Sequence, residues 1–363
     1  MYKILYNTYD SIRESYYKVY SPIVQNLFAA YLSGTKKVNI TLGTKHLCQV
    51  TVKVEQDLSI KSFTRDFLLK YSQDAELKKL LCGSVQELEN IFNEIKSDNM
   101  KHFQTLSKAK YDKMFQGKTS VQIDDFNAIM HAIFVDALFE TRLNKSNFIK
   151  WLNFRVCPYC GDTYIMPTTC KDGKVDVKPQ IDHFLPKSAY PFFAMSFCNL
   201  IPSCHSCNMA PNKHTKDPKG QDKSHRYLMQ PYEFKDNAFE FGYDYNGAGI
   251  YDGSNFSVLI DYKGDSDLEH GMKTMMATHD RYMKHNVEVA DMWQLMMKTV
   301  GNYKKYVNNV GLPSEFYDDN LEVLMGFELS DVNSRERVLY KFKKDIASKI
   351  VNECKQNKQN KQK

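Results

Sequence analysis

The spacing of apolar residues along the chain predicts a mainly helical protein with short β-hairpins. Apolar residues recur at intervals of three and four, the spacing of one helix face, in five stretches: residues 11–32, 60–81, 123–151, 268–307 and 334–351. Apolar and polar residues alternate instead over residues 37–54 and 239–262, and a Gly-containing turn interrupts each of these two stretches. Such alternation around a turn is typical of a hairpin whose strands are half buried.

Two local sequence signals indicate where predicted helices begin or break. Ser84 followed by Glu87 has the form of a capping box, so we expect a helix to begin there and to run to about Ile95. Pro22 lies inside the first helical stretch. Because proline cannot donate the backbone hydrogen bond of a helix, we expect a break at this position.

Residues 151–235 have a different composition, with six of the nine cysteines and four of the ten histidines. Residues 163–169 and 174–184 have the pattern of two strands, and Asp172-Gly173 between them is a strong turn signal. Residues 352–363 consist mostly of Lys, Gln and Asn without an apolar pattern, which predicts a disordered basic tail. The predicted division therefore has four parts: a mainly helical region at 1–150, a compact module at 151–235, a hairpin with helices at 236–351 and the tail at 352–363.

Composition and charge narrow the class of protein only slightly. The chain is 42% hydrophobic and 25% charged, which is ordinary for a globular protein with a buried core. Its formal net charge of +6 permits contact with nucleic acid without arguing for it. Residues 1–30 lack the apolar core of a secretory signal, and no stretch approaches the roughly 18 apolar residues of a membrane span. We therefore expect a cytoplasmic protein with no membrane partner.

Four of the cysteines stand in two C-x-x-C pairs, Cys157 with Cys160 and Cys204 with Cys207. Each pair places two thiolates on a tight turn, and together they can supply the four sulfur ligands of one tetrahedral Zn²⁺. The alternatives are cysteines without a shared role or a redox-active pair. A redox-active pair usually lies at the start of a helix in a thioredoxin-like pattern, which this sequence lacks. The spacing therefore predicts a structural zinc that staples the two ends of the intervening segment.

The segment between the two cysteine pairs contains a second group of chemically suggestive residues. Asp182 and His183 stand side by side at the end of a predicted strand. Hydrolysis of a phosphodiester needs a base that activates water and a divalent cation that neutralises the scissile phosphate, and a neutral imidazole is a suitable base near neutral pH. Neighbouring strand residues point to opposite sides, so we expect Asp182 to bind the cation and His183 to face the water. Asn208 is expected to open a helix and to add a carbonyl oxygen, and such an all-oxygen set favours Mg²⁺ or Mn²⁺.

The order of these residues resembles the signature of the HNH (ββα-metal) endonucleases. The strings I-D-H-F-L-P-K-S and N-L-I-P-S-C-H-S-C-N contain Asp-His, Asn and Asn in the order seen in the HNH domain of CRISPR effector nucleases. The longer stretch from C-P-Y-C onward is similar to bacterial HNH proteins linked to phage defence. The resemblance covers about residues 156–213. It departs from the family after Asn208, where M-A-P-N-K replaces a short basic ending.

This resemblance implies a role for each matched residue. His183 would be the general base, Asp182 and Asn208 would bind the catalytic Mg²⁺ or Mn²⁺, and Asn199 would hold the loop that bears the base. Cleavage would leave 5′-phosphate and 3′-hydroxyl ends, with DNA as the favoured substrate. The structural zinc would be held by Cys157, Cys160, Cys204 and Cys207. Candidate contacts to nucleic acid are the nearby basic residues Lys187, Lys213, Lys216 and Arg226.

On this interpretation the fold class is α+β, a mainly helical protein with a zinc-stapled ββα-metal nuclease module in the middle. Two other interpretations stay open. One is an adaptor that recruits nucleic acid or a partner without cleavage. The other is a nuclease subunit that stays silent until an ATPase or another defence-system subunit activates it. In either case we expect His279, Arg281 and His285, on the predicted helix over 268–307, to face solvent or a partner.

Overall fold

The computed structural model of the chain has a mainly helical α+β fold with small β-sheets. The residues it describes are 9–33, 35–42, 46–54, 59–99, 113, 120–123, 126–166, 168–169, 175–177, 180–209, 230–234, 237–247, 253–295 and 336–360. No helix within these ranges has both the length and the apolar character that crossing a bilayer requires.

The chain divides into two compact units that interleave along the sequence. Of the described residues, 154–166 and 204–360 form one unit, here called the cysteine unit, and 9–153 and 168–203 form the other, here called the histidine unit. The segment 151–235, which the sequence predicts as one module, contributes to both units. The strands described within residues 168–203 belong with the N-terminal helices.

The histidine unit contains most of the N-terminal helices. They span Asp10–Leu32, Ser59–Tyr71, Asp74–Cys82, Val85–Asn99, Phe126–Met130, His131–Glu140 and Lys145–Leu152. The helix predicted over 60–81 is therefore two helices separated at residues 72–73. The capping box is confirmed, because the Ser84 N–H donates to Glu87 Oε2 at 2.7 Å and the Glu87 N–H donates to Ser84 Oγ at 3.2 Å.

The first helix passes through Pro22 without the predicted break. An internal proline costs a helix about 3 kcal/mol or more. Complete burial of a large apolar side chain contributes about 1.5–3 kcal/mol, and this helix buries a continuous face of such side chains. Its members are Tyr16, Tyr17, Tyr20, Val24, Leu27, Phe28 and Tyr31. Burial of this face outweighs the lost hydrogen bond and keeps the helix continuous.

The helix predicted over 123–151 forms in three parts. Phe126–Met130 is α-helical and continues as a π-helix over His131–Glu140, in which every residue from His131 to Phe139 is buried. A separate helix, Lys145–Leu152, begins at Asn144, whose side-chain oxygen accepts a hydrogen bond from the Asn147 N–H at 3.0 Å. Because the π-helical segment is buried on all sides, its apolar residues carry no periodic pattern that would distinguish it from an α-helix.

The sheets of the histidine unit are short. Strands β1 (Thr35–Leu42) and β2 (His46–Val54) form the predicted antiparallel hairpin, and β3 (Ser120–Ile123) adds to β2 in parallel. Further along, β4 (Thr168–Thr169) pairs with β5 (Val175–Val177), and β6 (Gln180–His183) pairs with β7 (Leu200–Ser203), both antiparallel. The strand predicted over 174–184 is thus two strands with different partners. The turn at Asp172-Gly173 lies outside the described residues.

The cysteine unit combines a hairpin with helices. Strands β8 (Glu240–Tyr245) and β9 (Phe256–Asp261) confirm the hairpin predicted over 239–262. Its helices span Ser266–His270, Gly271–Met275, Thr278–Tyr282, 286–295 and Tyr340–Asn360. The helix predicted over 268–307 is broken at Ala277, which has a left-handed backbone with φ of 50°. The last helix continues through Asn360, into the stretch predicted as a disordered tail, because Lys and Gln favour helices and no Pro or Gly ends it.

Candidate functional site

The four predicted cysteines come together in the cysteine unit. The sulfur atoms of Cys157, Cys160, Cys204 and Cys207 lie within 4.8 Å of one another, and all four residues are buried. The Sγ atoms of Cys160 and Cys204 are 3.9 Å apart. A tetrahedral zinc with Zn–S bonds of about 2.3 Å requires sulfur atoms separated by about 3.8 Å. The group therefore has the ligand type and the spacing to hold a metal ion such as zinc.

Local backbone geometry brings each pair of sulfur atoms to one side of a turn. In the first pair, the Gly161 N–H donates to the Cys157 carbonyl at 2.7 Å, and Gly161 has a φ of 66°, which favours glycine. The Cys157 N–H donates in turn to the Thr163 carbonyl at 2.9 Å. In the second pair, Cys204 precedes the short helix His205–Asn208. The sequence thus sets these turns locally, through Gly161 and the C-x-x-C spacing.

Hydrogen-bond donors surround the sulfur atoms. Arg281 Nη2 donates to Cys207 Sγ at 3.2 Å, and the Asp162 N–H donates to Cys160 Sγ at 3.4 Å. Four thiolates around one Zn²⁺ carry a net charge of −2, so a guanidinium at the site offsets half of that charge. The donor set therefore fits a tetrathiolate metal centre.

Later parts of the cysteine unit hold the first cysteine turn. The Tyr282 hydroxyl donates to the Cys160 carbonyl, and the Leu339 N–H donates to the Gly161 carbonyl at 2.6 Å. His285 Nε2 lies 3.5 Å from an oxygen of Asp162. Arg281 and His285, which were expected to face solvent or a partner, are partly exposed and also contact the cysteine turns. No local sequence signal identifies these two contacts, because Arg281 lies more than seventy residues after Cys207 and His285 lies more than a hundred residues after Asp162.

Asp182 and His183 lie at the end of β6 in the histidine unit, opposite Ile201 and Leu200 of β7. Both side chains are buried, and His183 is 8% exposed. His183 Nε2 lies 3.0 Å from the Ala194 carbonyl oxygen. Because a carbonyl can only accept, Nε2 carries the proton and Nδ1 carries the lone pair.

The surroundings of His183 keep its imidazole neutral. The ring of Phe139 packs edge-on against it, with 4.3 Å between ring centroids. Burial first, and then the charge of Lys187, lower the pKa of His183 to about 3. The ring is therefore neutral near pH 7. A pKa this low also makes Nδ1 a weak proton acceptor in this buried conformation.

Asn199 is buried and fastens the chain between β6 and β7. Its side-chain oxygen accepts a hydrogen bond from the Leu185 N–H at 2.7 Å. Its amide donates to the carbonyls of Leu185 and Phe193, at 3.2 and 2.9 Å. Phe193 directly precedes Ala194, whose carbonyl orients His183. These contacts agree with the predicted positioning role of Asn199, which stays a prediction.

The N-terminal helices also hold the loop that carries Ala194. The Tyr16 hydroxyl donates to the Met195 carbonyl at 2.9 Å, and Ser196 Oγ donates to the Leu80 carbonyl at 2.6 Å. The sequence offered no chemical motif in this region. Its contacts identify it as the scaffold of the loop that orients His183.

The structure describes two of the five remaining predicted site residues, Asn208 and Lys187. Asn208 belongs to the cysteine unit, and it ends the helix His205–Asn208 instead of opening one. Lys187 forms an ion pair with Glu140 at 2.6 Å. Lys213, Lys216 and Arg226 lie outside the described residues.

The predicted ligands of the catalytic Mg²⁺ or Mn²⁺ belong to different units of the described chain. Among the described residues, the four cysteines are the one group of three or more His, Cys, Asp or Glu side chains close enough to share an ion. Asp182 belongs to the histidine unit and Asn208 to the cysteine unit. Their shared role as ligands of a divalent ion therefore stays a prediction of the sequence.

Comparison with known proteins finds one distant relative. The chain is 28% identical to protein ea31 of Escherichia phage lambda over an alignment of 200 residues, and the alignment covers 51% of this chain and 60% of that protein. The chain thus spans about three fifths of the length of this curated relative. No family model and no solved structure matches the chain. Because the name of the relative states no activity, function has to be argued from the site.

Proposed function

We propose that this protein is an HNH-type endonuclease that hydrolyses phosphodiester bonds of nucleic acid, with DNA as the favoured substrate. The observation that carries the proposal is the state of His183. It is a neutral imidazole whose Nε2 is held by the Ala194 carbonyl, at the end of a short hairpin and directly after the carboxylate of Asp182. This contact gives the proposed general base a single tautomer and a fixed ring orientation.

In the proposed reaction, Nδ1 of His183 accepts a proton from the water that attacks phosphorus. The hydrogen bond from Nε2 to Ala194 keeps the ring oriented, and its carbonyl partner favours the positive charge that the ring then acquires. Asn199 maintains the loop geometry through its three side-chain hydrogen bonds. A Mg²⁺ or Mn²⁺ ion would neutralise charge on the scissile phosphate and on the leaving 3′ oxygen.

A structural zinc on the four cysteines is the second part of the proposal. Zinc at this position would hold the two cysteine turns together and, through Arg281, Tyr282 and Leu339, would fasten later helices of the cysteine unit to them. Its contribution would be to folding.

The test is cleavage of plasmid DNA, single-stranded DNA and RNA by wild type and by His183→Ala, each with Mg²⁺, Mn²⁺ or EDTA. We expect cutting by wild type that depends on the divalent ion and is reduced at least about a hundredfold in the variant. His279→Ala is the matched control, because His279 is also hydrogen-bonded, to the Tyr262 hydroxyl at 2.8 Å. Zinc content and circular dichroism report whether each variant is folded.

A second candidate, a nuclease that is silent until a partner activates it, is favoured by one observation. His183 is covered by Phe139 and is 8% exposed, so water and phosphate have little access to it in this conformation. An ATPase or another phage-defence subunit is the partner class that the resemblance suggests. Robust cutting by the isolated chain at nanomolar concentration would rule this candidate out. Nucleic-acid binding that survives His183→Ala, without cutting under any condition, would favour the adaptor instead.

A further inference from the structure

A three-charge cluster lies beside His183 in the histidine unit. Glu140, the last residue of the π-helix, is bound by a different lysine at each carboxylate oxygen. Oε1 is 2.6 Å from Lys187 Nζ, and Oε2 is 2.9 Å from Lys145 Nζ. Lys145 begins the helix Lys145–Leu152, whereas Lys187 follows β6. The carboxylate of Glu140 thus binds one lysine five residues away in the chain and another 47 residues away.

Phe139 connects this cluster to the predicted base. The Lys145 ammonium lies 4.2 Å from the centre of the Phe139 ring, and the Lys187 ammonium lies 5.0 Å from it. The same ring packs edge-on against the imidazole of His183. The two lysines are therefore held near His183 by a ring that contacts all three side chains.

The cluster is open to solvent. The side chains of Lys145 and Lys187 are each 36% exposed, and that of Glu140 is 35% exposed. Burial raises the pKa of Glu140, but the charges and hydrogen bonds of Lys187 and Lys145 lower it more, to about 2. Glu140 is therefore an anion at neutral pH. Two ammonium groups bound to the two oxygens of one anion are also suited to the two free oxygens of a phosphodiester.

We propose that Lys145 and Lys187 form a phosphodiester-binding pair beside His183, and that Glu140 occupies this pair as an internal anion until nucleic acid displaces it. The position of the pair relative to the reaction rests on the proposed function, whereas its capacity to bind phosphate does not. Under the ordinary interpretation, the two ion pairs are only surface salt bridges, which contribute little to stability. The two interpretations differ in what removal of the Glu140 charge does to nucleic-acid affinity.

The test measures binding of a fluorescently labelled DNA oligonucleotide by fluorescence anisotropy in EDTA, where no cleavage occurs. Glu140→Gln keeps the shape of the side chain and removes the competing charge, so affinity should rise roughly tenfold, in line with the loss of two exposed ion pairs. Glu269→Gln is the control with the same change in net charge, because Glu269 pairs with Lys273 elsewhere on the surface. We expect the control to bind within about twofold of wild type.

Lysine substitutions identify the groups that bind. In the Glu140→Gln background, Lys145→Met or Lys187→Met should each remove most of the gain, while methionine preserves the apolar stem against Phe139. Each should also reduce the slope of log affinity against log salt concentration by about one. If a lysine substitution removes the gain in DNA affinity but leaves the salt dependence of binding unchanged, the lysine acts on folding. That result would overturn its assignment as a phosphate-binding group.

Two further results would overturn the proposal. One is a Glu140→Gln affinity equal to that of Glu269→Gln. The other is the absence of DNA binding by every variant at low salt. The proposal that the isolated chain is a nuclease fails in a different way, when Glu140→Gln binds DNA more tightly but neither it nor wild type cuts DNA or RNA with Mg²⁺ or Mn²⁺.

Discussion

Replacement of Asn199 by alanine should be among the most destabilising changes in the histidine unit. Asn199 is 1% exposed and makes three side-chain hydrogen bonds to the backbone, to the Leu185 N–H and carbonyl and to the Phe193 carbonyl. Each such bond contributes about 0.5–1.5 kcal/mol net, and a buried donor left without a partner costs about 1–3 kcal/mol. Because Leu185 and Phe193 are themselves buried, water cannot easily replace the lost amide. The expected loss is about 3–5 kcal/mol, a large part of the total stability of a domain.

The assay is urea denaturation followed by circular dichroism and tryptophan fluorescence. Asn144→Ala is the matched control, because Asn144 is exposed and its side chain accepts one hydrogen bond, at a helix start. Loss of that cap should cost only about 1 kcal/mol. The reasoning would be refuted by an Asn199→Ala variant that loses no more free energy of unfolding than Asn144→Ala. Asn199→Asp should be nearly as destabilising as Asn199→Ala, because a carboxylate cannot donate to the two carbonyls.

Two further predictions concern the metal centre and the acid stability of the protein. Wild type should contain one zinc per chain by elemental analysis. Arg281→Met should release that zinc to a chelator at least about threefold faster than Arg281→Lys, since only the lysine keeps a positive charge beside Cys207. Equal release rates would contradict the role given to Arg281. Because the folded pKa of Glu140, about 2, lies below that of an unfolded glutamate, about 4.3, its stabilisation is complete above about pH 4.3 and is lost as the pH falls towards 2. Glu140→Gln should therefore lose less stability than wild type between about pH 5 and pH 3. If the urea unfolding midpoints of the two proteins fall by the same amount across this pH range, the lowered pKa assigned to Glu140 is wrong.

Local signals in the sequence were enough to predict the elements that depend on neighbouring residues. The alternation over 37–54 and 239–262 predicted both hairpins, because side chains of a strand alternate between two faces whatever the strand packs against. The Ser84 and Glu87 capping box is a contact between residues three apart, and its hydrogen bonds form as predicted. The two C-x-x-C turns likewise predicted a four-sulfur cluster, since each turn is fixed by a few adjacent residues.

Only the tertiary structure decided the features that depend on residues distant in the chain. The helix through Pro22 stays continuous because the face it buries outweighs a local cost. The strand ending at His183 pairs with β7 instead of extending the preceding hairpin. Residues 168–203, between the cysteine pairs, belong to the unit of the N-terminal helices. The contacts of Arg281 with Cys207 and of Lys187 with Glu140 join groups separated by tens of residues. Residue type and spacing predict which side chains can bind a metal or transfer a proton. Burial and long-range packing determine which charged groups lie next to those side chains.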